Sequence, residues 1–411
     1  MAACFGPLTE SVIMRIPRLL LICVVLLLSA ILFSWQFISP TNWTFASGFH
    51  PNHLPCLINK VLSKRGANLL HGWTDDELFE RSIVVSTFFS RNLSAGEING
   101  SSFDEILALD NVSGANSRDS ALVQNVQGYI DCLERTVSGE GKPKIAFLFL
   151  TRDSKLPFAP LWNLFFKGKE NLYSIYVHSD PSLFNLQNRN IGIFWGRFIS
   201  SGQTQHGTAS LIQAARRLLA NALLDDPLNE YFALLSEHCI PLHSFKYIYD
   251  KITASSQSFQ DIGDWPYLLG RYDARGKDVM LPEVPFSEFR MGSQFFVLIK
   301  KHALMFVEDQ KYWNKFKLPC LPEGPCYPEE HYFPTLLHIE DPKGFTGYSL
   351  TYMNWDEAQG PHPKSYKKEE INQALIVYLR SKNNGRFVFA RKFDDDCLPK
   401  LLNLTGIIFQ E

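Results

Sequence analysis

Three short apolar runs, separated by helical segments, constrain the fold of this chain more than any other feature of its sequence. The runs lie at residues 145–150, 173–177 and 231–235. Each is apolar along nearly its whole length, which is typical of strands that are buried on both faces of a parallel sheet. Helical patterns at 157–166 and 208–224 lie between them. This alternation predicts an α/β domain with a Rossmann-like, mostly parallel sheet.

Polar side chains follow two of these predicted strands. The second run leads into His178 and Asp180, and the third leads into Glu237 and His238. Ligands bind at the carboxyl ends of the strands in such sheets. Asp180 is therefore placed to accept a hydrogen bond from a nucleotide, although a turn cap is an equally good interpretation. Glu237 and His238 are candidates for substrate contacts, with an ordinary loop as the alternative.

Further candidates for contacts to a sugar lie later in the chain. Strands are also predicted at 191–199 and 295–299, and Ser293 and Gln294 come just before the second of these. Hydroxyl and amide side chains exchange hydrogen bonds with sugar hydroxyls. Trp355 stands among turn residues, an arrangement that suits stacking on a sugar but also suits an ordinary packed loop.

A strand predicted at 387–393 carries two cations, Arg391 and Lys392. Guanidinium and ammonium groups can stabilise a leaving diphosphate directly, while a solvated pair at a strand end is the simpler alternative. Residues 394–396 formally satisfy the Asp-x-Asp pattern with which many sugar transferases hold a metal ion. Their position near the C-terminus favours a solvated acidic turn, so no metal site is predicted.

The candidate base lies in an acidic stretch that precedes an apolar run. Glu329 and Glu330 come directly before residues 331–337, and Cys320 and Cys326 upstream are spaced to close a small loop. A carboxylate that a rigid turn holds at the lip of a cleft can act as a general base toward a hydroxyl group. The alternative is that both acids simply complement the dipole of a helix N-terminus.

The N-terminus predicts a membrane anchor. Residues 19–38 carry no charge and are long enough to span a bilayer, while Arg15 and Arg18 precede them. The positive-inside rule then puts the N-terminus in the cytosol and the rest in a lumen, with a cleaved signal peptide as the alternative. The predicted segments are a cytosolic tail at 1–18, a signal anchor at 19–38, a stem at 39–141 and a catalytic domain at 142–411.

A lumenal location predicts two kinds of covalent modification. Asparagine acceptor triplets occur at Asn42, Asn92, Asn99, Asn111 and Asn403. Six of the 8 cysteines would lie in an oxidising lumen, where they can pair in 15 ways.

The formal net charge of -2 argues against a nucleic-acid partner.

Taken together, these motifs resemble the core-2/I-branching β-1,6-N-acetylglucosaminyltransferase family, and most of all its plant branch. The resemblance implies a GT-A-type fold, a single-pass type II Golgi membrane protein and an inverting, metal-independent transfer from a UDP-sugar to a glycan or glycoprotein hydroxyl. It assigns the base to Glu330, a uridine contact to Asp180 and a diphosphate contact to Lys392, with Lys364 and Lys367 as candidates for a second one. The motifs lie at 145–150, 176–181, 234–242, 292–297, 328–335 and 389–393.

Two departures leave the substrates open. His206 stands where relatives often have tryptophan, and residues 356–360 differ from the usual glycine-rich stretch. The donor sugar is expected to be GlcNAc-like, with glucuronic acid and xylose as alternatives within the family. A non-catalytic lumenal carbohydrate-binding protein of the same fold is the alternative from another class. A secreted hydrolase would need a second acid facing Glu330, for which only Glu237 is a candidate.

Overall fold

A mixed six-stranded sheet forms the centre of the domain. The computed structural model describes residues 74–83, 86, 141–183, 192–263, 265, 267–322, 326–358, 360 and 362–410. The predicted tail and anchor, and most of the predicted stem, lie outside these residues. Within the described part of the chain, no helix is both long and apolar enough to cross a membrane.

The first three strands alternate with helices and are parallel, as predicted, whereas a later strand of the same sheet is antiparallel. The sheet runs in the order β2-β1-β3-β6-β5-β7, and a smaller sheet runs β4-β9-β8. β1 pairs in parallel with both β2 and β3, whereas β6 lies antiparallel between β3 and β5. The strands are β1 Lys144–Thr151, β2 Tyr173–Ser179, β3 Asn229–Ser236, β4 Ile240–Pro241, β5 Ser258–Asp261, β6 Val297–Ile299, β7 Phe345–Gly347, β8 Thr351–Met353 and β9 Phe389–Arg391.

Helices cover both faces of the sheet. The longest, α2, begins where the Thr208 hydroxyl accepts a hydrogen bond from the Ser210 N–H. The α-helices are α1 Ala159–Phe166, α2 Ala209–Asp225, α3 Phe245–Thr253, α4 Leu268–Tyr272, α5 Lys300–Glu308, α6 Trp313–Phe316, α7 Tyr332–Glu340, α8 Gln373–Ser381, α9 Leu398–Asn403 and α10 Thr405–Ile408.

Strand β1 separates two hydrophobic cores because its side chains alternate between its faces. Phe147 and Phe149 pack with Trp162 of α1, while Leu148 faces the other way and packs with Leu218 of α2. Complete burial of each such side chain contributes roughly 1.5–3 kcal/mol. The strand pairing described above, together with this packing, confirms the mixed, mostly parallel α/β sheet that the sequence predicts.

One predicted strand is wrong. Residues 192–194 form a 3-10 turn, and the backbone of Phe198 forms an isolated parallel bridge to Val177. Gly192 and Gly196 have φ values of +52° and +73°. Those left-handed conformations are incompatible with an extended strand, so the apolar residues of this segment lie in a turn.

Part of the predicted stem packs against the domain. Residues 75–83 are helical, and Thr74 and Glu77 cap the helix reciprocally: the Glu77 N–H donates to Thr74 Oγ1 (3.3 Å) and the Thr74 N–H donates to Glu77 Oε2 (2.8 Å). The Arg216 guanidinium of α2 lies 4.7 Å from the Phe79 ring centroid. The folded unit therefore includes this helix as well as the residues from 141 onward.

Candidate active site

The ends of β1, β2 and β3 bring the first candidate residues to one edge of the sheet. The Asp180 N–H, just after β2, donates to the Arg152 carbonyl (3.3 Å). The Arg152 N–H, just after β1, donates to Glu237 Oε1 (3.2 Å), which follows β3. Parallel pairing of the three strands is what aligns these ends. The predicted donor contact Asp180 and the predicted acceptor contact Glu237 thus lie at the same edge of the sheet.

A loop at residues 202–207, called here the donor-side loop, holds the polar residues at the end of β2. The Gly202 N–H donates to His178 Nε2 (3.3 Å), and the Thr204 N–H donates to Asp180 Oδ2 (2.7 Å). Burial, with a smaller contribution from Arg217, lowers the pKa of His178 to about 4, so this imidazole is neutral at physiological pH.

Asp180 is engaged by protein donors on both of its oxygens. Besides the contact from Thr204, Oδ1 accepts from the Ser182 N–H (2.8 Å) and hydroxyl (2.6 Å). Although burial raises its pKa, these hydrogen bonds outweigh that effect and hold the pKa below its ordinary value. These contacts are those of the turn cap that the sequence offered as the alternative, and a uridine contact stays a prediction.

The candidate base, Glu330, lies in a 3-10 turn, Pro328–Glu330, that leads into α7. Its side chain is 26% exposed and forms an ion pair with Arg271 of α4. The Gly292 N–H donates to the Glu330 carbonyl (2.9 Å). A Cβ at Gly292 would lie 1.9 Å from the Asp261 carbonyl oxygen, so only glycine allows this close approach. The turn therefore presents a partly exposed carboxylate from a fixed backbone.

Arg271 is held in place by aromatic rings. Its guanidinium lies 4.9 Å from the Tyr327 ring centroid and 5.8 Å from that of Tyr267. His331 stacks on Phe289 with ring centroids 4.5 Å apart, and burial lowers the pKa of His331 to about 3, so this neighbour carries no charge. Sequence reasoning missed Arg271. Its spacing of four residues from Tyr267 in a short helix is a weak signal.

Glu329 has quite different surroundings from its neighbour. The residue is only 3% exposed, and its Oε1 accepts a hydrogen bond from the Gly207 N–H (3.1 Å). Within the described residues, its buried Oε2 has no hydrogen-bond partner. Burial raises the pKa of Glu329 to about 7. This turn therefore carries one buried acid and one partly exposed acid.

The predicted cations lie on β9 and just after it. The Arg391 guanidinium lies 4.2 Å from the Phe295 ring centroid, and its Nη1 is 3.7 Å from Met353 Sδ on β8. Its buried Nε has no hydrogen-bond partner within the described part of the chain. Burial, followed by the neighbouring Arg391, lowers the pKa of Lys392. Two adjacent cations that lack a direct carboxylate contact among the described ion pairs suit an anionic ligand.

Ring contacts connect the carboxylate and the cations. Tyr327, which stacks on Arg271, lies 5.6 Å from the His206 ring, and His206 lies 5.4 Å from the His362 ring. Burial, followed by the charge of Lys392, lowers the pKa of His362. A series of contacts therefore leads from Arg271, the partner of the candidate base, to His362, whose pKa is affected by the charge of Lys392.

The acceptor candidates after β3 are partly engaged within the protein. His238 Nδ1 lies 3.1 Å from the Phe393 carbonyl and 3.6 Å from Asp395 Oδ1. Its Nε2 lies 4.0 Å from Glu237 Oε1. Both side chains are partly exposed at the edge that carries the cations, and their acceptor role stays a prediction.

The other acceptor candidates differ in their accessibility. Ser293 is buried; its N–H donates to Asp261 Oδ1 (2.8 Å) and its hydroxyl accepts from the Phe295 N–H (3.0 Å). Gln294 Nε2 is buried and has no hydrogen-bond partner among the described residues. Trp355 is 50% exposed, two residues after β8. Trp355 is therefore the most exposed of the three, Gln294 is partly exposed and Ser293 is buried.

The remaining charged candidates form ion pairs of their own. Lys364 binds Glu357 and Glu370, at 2.6 Å and 2.7 Å. Lys367 binds Asp394, which also accepts from the Ser365 hydroxyl. Asp394 therefore neutralises a nearby cation, while the next two aspartates of the Asp-x-Asp pattern lie exposed on a 3-10 turn.

The cysteine and glycosylation predictions are tested only in part. Cys320 and Cys326 form the predicted disulfide, whereas Cys239 and Cys397 are buried thiols. Asn403 is exposed at the end of α9. Cysteines 56 and 132 and the triplets at Asn42, Asn92, Asn99 and Asn111 lie outside the described residues.

Two comparisons with known proteins identify the family of this chain. The family model of the Core-2/I-Branching enzyme matches residues 145–380. A rice protein (Oryza sativa subsp. japonica) called glycosyltransferase BC10 is 36% identical over 318 residues, which cover 65% of this chain and 78% of the rice protein. The candidate base and the donor-side loop lie within the residues that the family model matches, and β9 lies beyond them.

Proposed function

We propose the donor, chemistry and location of this glycosyltransferase from one premise: the chain belongs to the core-2/I-branching enzyme family. The proposed reaction moves a GlcNAc-like sugar from a UDP-sugar to a hydroxyl of a glycan or glycoprotein, with inversion and without a metal ion. The proposed fold type is GT-A. The proposed location is the Golgi lumen, with residues 19–38 as the membrane anchor.

The observation that carries this proposal is the series of contacts that leads from the candidate base toward the two cations. Glu330 lies at one end, paired with Arg271, and Arg391 and Lys392 lie at the other. A transfer from a nucleotide sugar needs a base for the acceptor and positive charge for the leaving diphosphate. Candidates for both are the Glu330 carboxylate on its 3-10 turn and the cations at the end of β9.

In the proposed mechanism the transfer is a single displacement. Glu330 takes the proton of the acceptor hydroxyl as its oxygen forms a bond to the anomeric carbon. The bond from that carbon to the UDP oxygen breaks, and its electron pair stays on the diphosphate. Lys392 and Arg391 offset this charge, and Arg271 keeps the Glu330 carboxylate oriented until the acceptor arrives.

The remaining predicted contacts have supporting places in this scheme. His178 and Asp180 shape the donor side through the donor-side loop. Glu237 and His238 lie beside the cations, where they can meet either the donor sugar or the acceptor. The exposed ring of Trp355 offers a stacking surface for a sugar. Ser293 and Gln294 directly follow Gly292, whose N–H donates to the Glu330 carbonyl.

The role of the base is tested by Glu330→Gln in the full-length chain. Because the amide cannot take a proton, we expect transfer to fall by about 10²–10⁴-fold while thermal stability stays close to that of the wild type. The matched control is Glu308→Gln, a substitution of an exposed glutamate at the end of α5, which should leave the rate unchanged. Wild-type turnover of Glu330→Gln would overturn the assignment.

The donor is identified by thermal shift assays of the detergent-solubilised full chain against UDP-sugars, with EDTA present. A ligand at 100 times its dissociation constant stabilises the fold by about 2.7 kcal/mol, which is readily measured. A shift with UDP-GlcNAc supports the proposed donor, whereas a shift with only UDP-glucuronic acid or UDP-xylose assigns the alternative sugar. A shift that needs Mn²⁺ would contradict metal-independent binding.

A further inference from the structure

Three backbone N–H groups of the donor-side loop donate hydrogen bonds to buried side chains. Two of these side chains, His178 and Asp180, belong to the end of β2. The third is Glu329, whose Oε1 accepts from the Gly207 N–H (3.1 Å) although the two residues are 122 positions apart. This third contact joins the loop to the turn that carries Glu330.

Packing alone does not account for a glutamate at this place. Glu329 is 3% exposed, and its Oε2 is buried without a hydrogen-bond partner among the described residues. A buried polar atom without a partner costs stability, so an apolar side chain would serve the core better. Besides its own backbone N–H, the Glu329 carboxyl accepts a hydrogen bond from the Gly207 N–H, and this second contact links the glutamate to the loop.

The backbone of the loop is also shaped to meet this turn. Gly207 has φ of +73°, and a Cβ there would lie 3.3 Å from the ring of Tyr327. Tyr327 directly precedes the turn and stacks on Arg271, the partner of Glu330. The loop therefore touches the segment 327–329 through a side-chain contact and a hydrogen bond.

We infer that Glu329 is a positioning residue, which fastens the donor-side loop to the turn of the base so that the two sides of the site keep a fixed distance. The description of the loop as the donor side and of the turn as the base side rests on the proposed function. The Glu329 carboxyl touches neither substrate in this scheme. It acts by fixing the loop that holds His178 and Asp180 relative to Glu330.

The test compares Glu329→Met, which keeps the length of the side chain but removes the acceptor, with Glu329→Gln, whose amide oxygen still accepts the Gly207 N–H. Hydrogen–deuterium exchange of peptides that cover 202–207 is measured on the full-length protein, together with UDP affinity by calorimetry. We expect faster exchange of the loop and roughly tenfold weaker UDP binding for the methionine variant, the factor contributed by one hydrogen bond. The glutamine variant should restore both.

A matched control separates this effect from general loss of stability. Asn229 is buried at the opposite end of β3, where its Nδ2 donates to the Ala222 carbonyl (2.9 Å). Asn229→Ala should lower the melting temperature without changing loop exchange or UDP affinity. If Glu329→Met does not fold, Glu329→Ala makes the same comparison with a smaller side chain.

Two results would overturn the inference: exchange of the loop at the wild-type rate in the methionine variant, or a glutamine variant that is as impaired as the methionine variant. Failure of the wild type to bind UDP would instead contradict the proposed donor. Loop exchange would still decide the role of Glu329 in that case.

Discussion

At the scale of single residues, the two neighbouring acids on the turn before α7 differ in exposure and in their contacts. Glu330 is partly exposed and paired with Arg271, while Glu329 is enclosed and accepts a hydrogen bond from the donor-side loop. The difference comes from the direction of each side chain on a 3-10 turn, where successive residues point to different sides. The burial of Glu329 has a measurable consequence for stability.

The free energy of unfolding of the wild type should fall relative to that of Glu329→Gln as pH rises from about 4.5 to about 7. The unfolded carboxyl has its ordinary pKa of 4.5, whereas burial raises the pKa in the folded protein to about 7. The unfolded state therefore loses its proton first, and ionisation favours unfolding across this window. The shift corresponds to on the order of 3 kcal/mol.

Urea denaturation of both proteins at several pH values between 4 and 8 measures this difference. Taking the difference between the two curves removes the contribution of His178 and His331, which titrate alike in both proteins. A difference that does not change with pH, or that changes in the opposite direction, would contradict the buried acid.

A second residue-scale prediction concerns the leaving group. Lys392→Ala should lower the transfer rate by roughly 10²–10³-fold, because a fixed charge at the developing diphosphate is lost. Initial rates at saturating donor measure this effect. Lys246→Ala is the matched control, since Lys246 pairs with Asp250 on the exposed face of α3, and its rate should equal that of the wild type. Equal rates for both variants would remove Lys392 from the mechanism.

At the scale of elements, the disulfide tethers the chain directly before the turn of the base. Cys320 and Cys326 are six positions apart, and Tyr327 follows at once. Closing a loop of this size stabilises a fold by roughly 2 kcal/mol in the chain-entropy account. The double variant Cys320→Ser/Cys326→Ser should therefore melt at a lower temperature than the wild type.

Thermal unfolding with and without a reducing agent tests this prediction. The reducing agent should lower the melting temperature of the wild type and leave that of the double variant unchanged. A wild type that is insensitive to reduction would show that the bridge contributes nothing to stability.

The strands of this protein differ in how far their own sequence predicts them. β1, β2 and β3 were predictable because each is a continuous apolar run buried on both faces. β4, β7 and β8 contain two or three residues each, and pairing with distant strands holds them, so no local pattern marks them. The turn in place of the strand predicted at 191–199 depends on glycine conformations that apolar periodicity does not report.

The residues of the candidate site also differ in how far the sequence predicts their positions. His178, Asp180 and Glu237 follow predictable strands, so the sequence could place them at one edge of the sheet. Arg271 comes from a five-residue helix 59 positions before Glu330. Its role depends on tertiary packing alone, as does the contact between Gly207 and Glu329. The sequence could therefore indicate a candidate base, but it could not indicate the groups that contact it.

At the scale of the whole molecule, the predicted lumenal orientation can be measured on the full-length chain in a eukaryotic cell. N-linked glycans should be present and removable by glycosidase, and Asn403→Gln should remove one of them because Asn403 is exposed at the end of α9. A tag at the N-terminus should stay accessible to protease on the cytosolic side. A protein without any glycan would contradict the lumenal location.

The middle strand of the small sheet, β9, lies after all the residues that the family model matches. β4 and β8 pair with β9 and not with each other, and Arg391 and Lys392 follow from its position. A premature stop codon just after residue 380 would spare every strand of the large sheet and everything that the family model matches. The product would nevertheless lack both cations, so late nonsense mutations in this gene should behave as complete loss-of-function alleles.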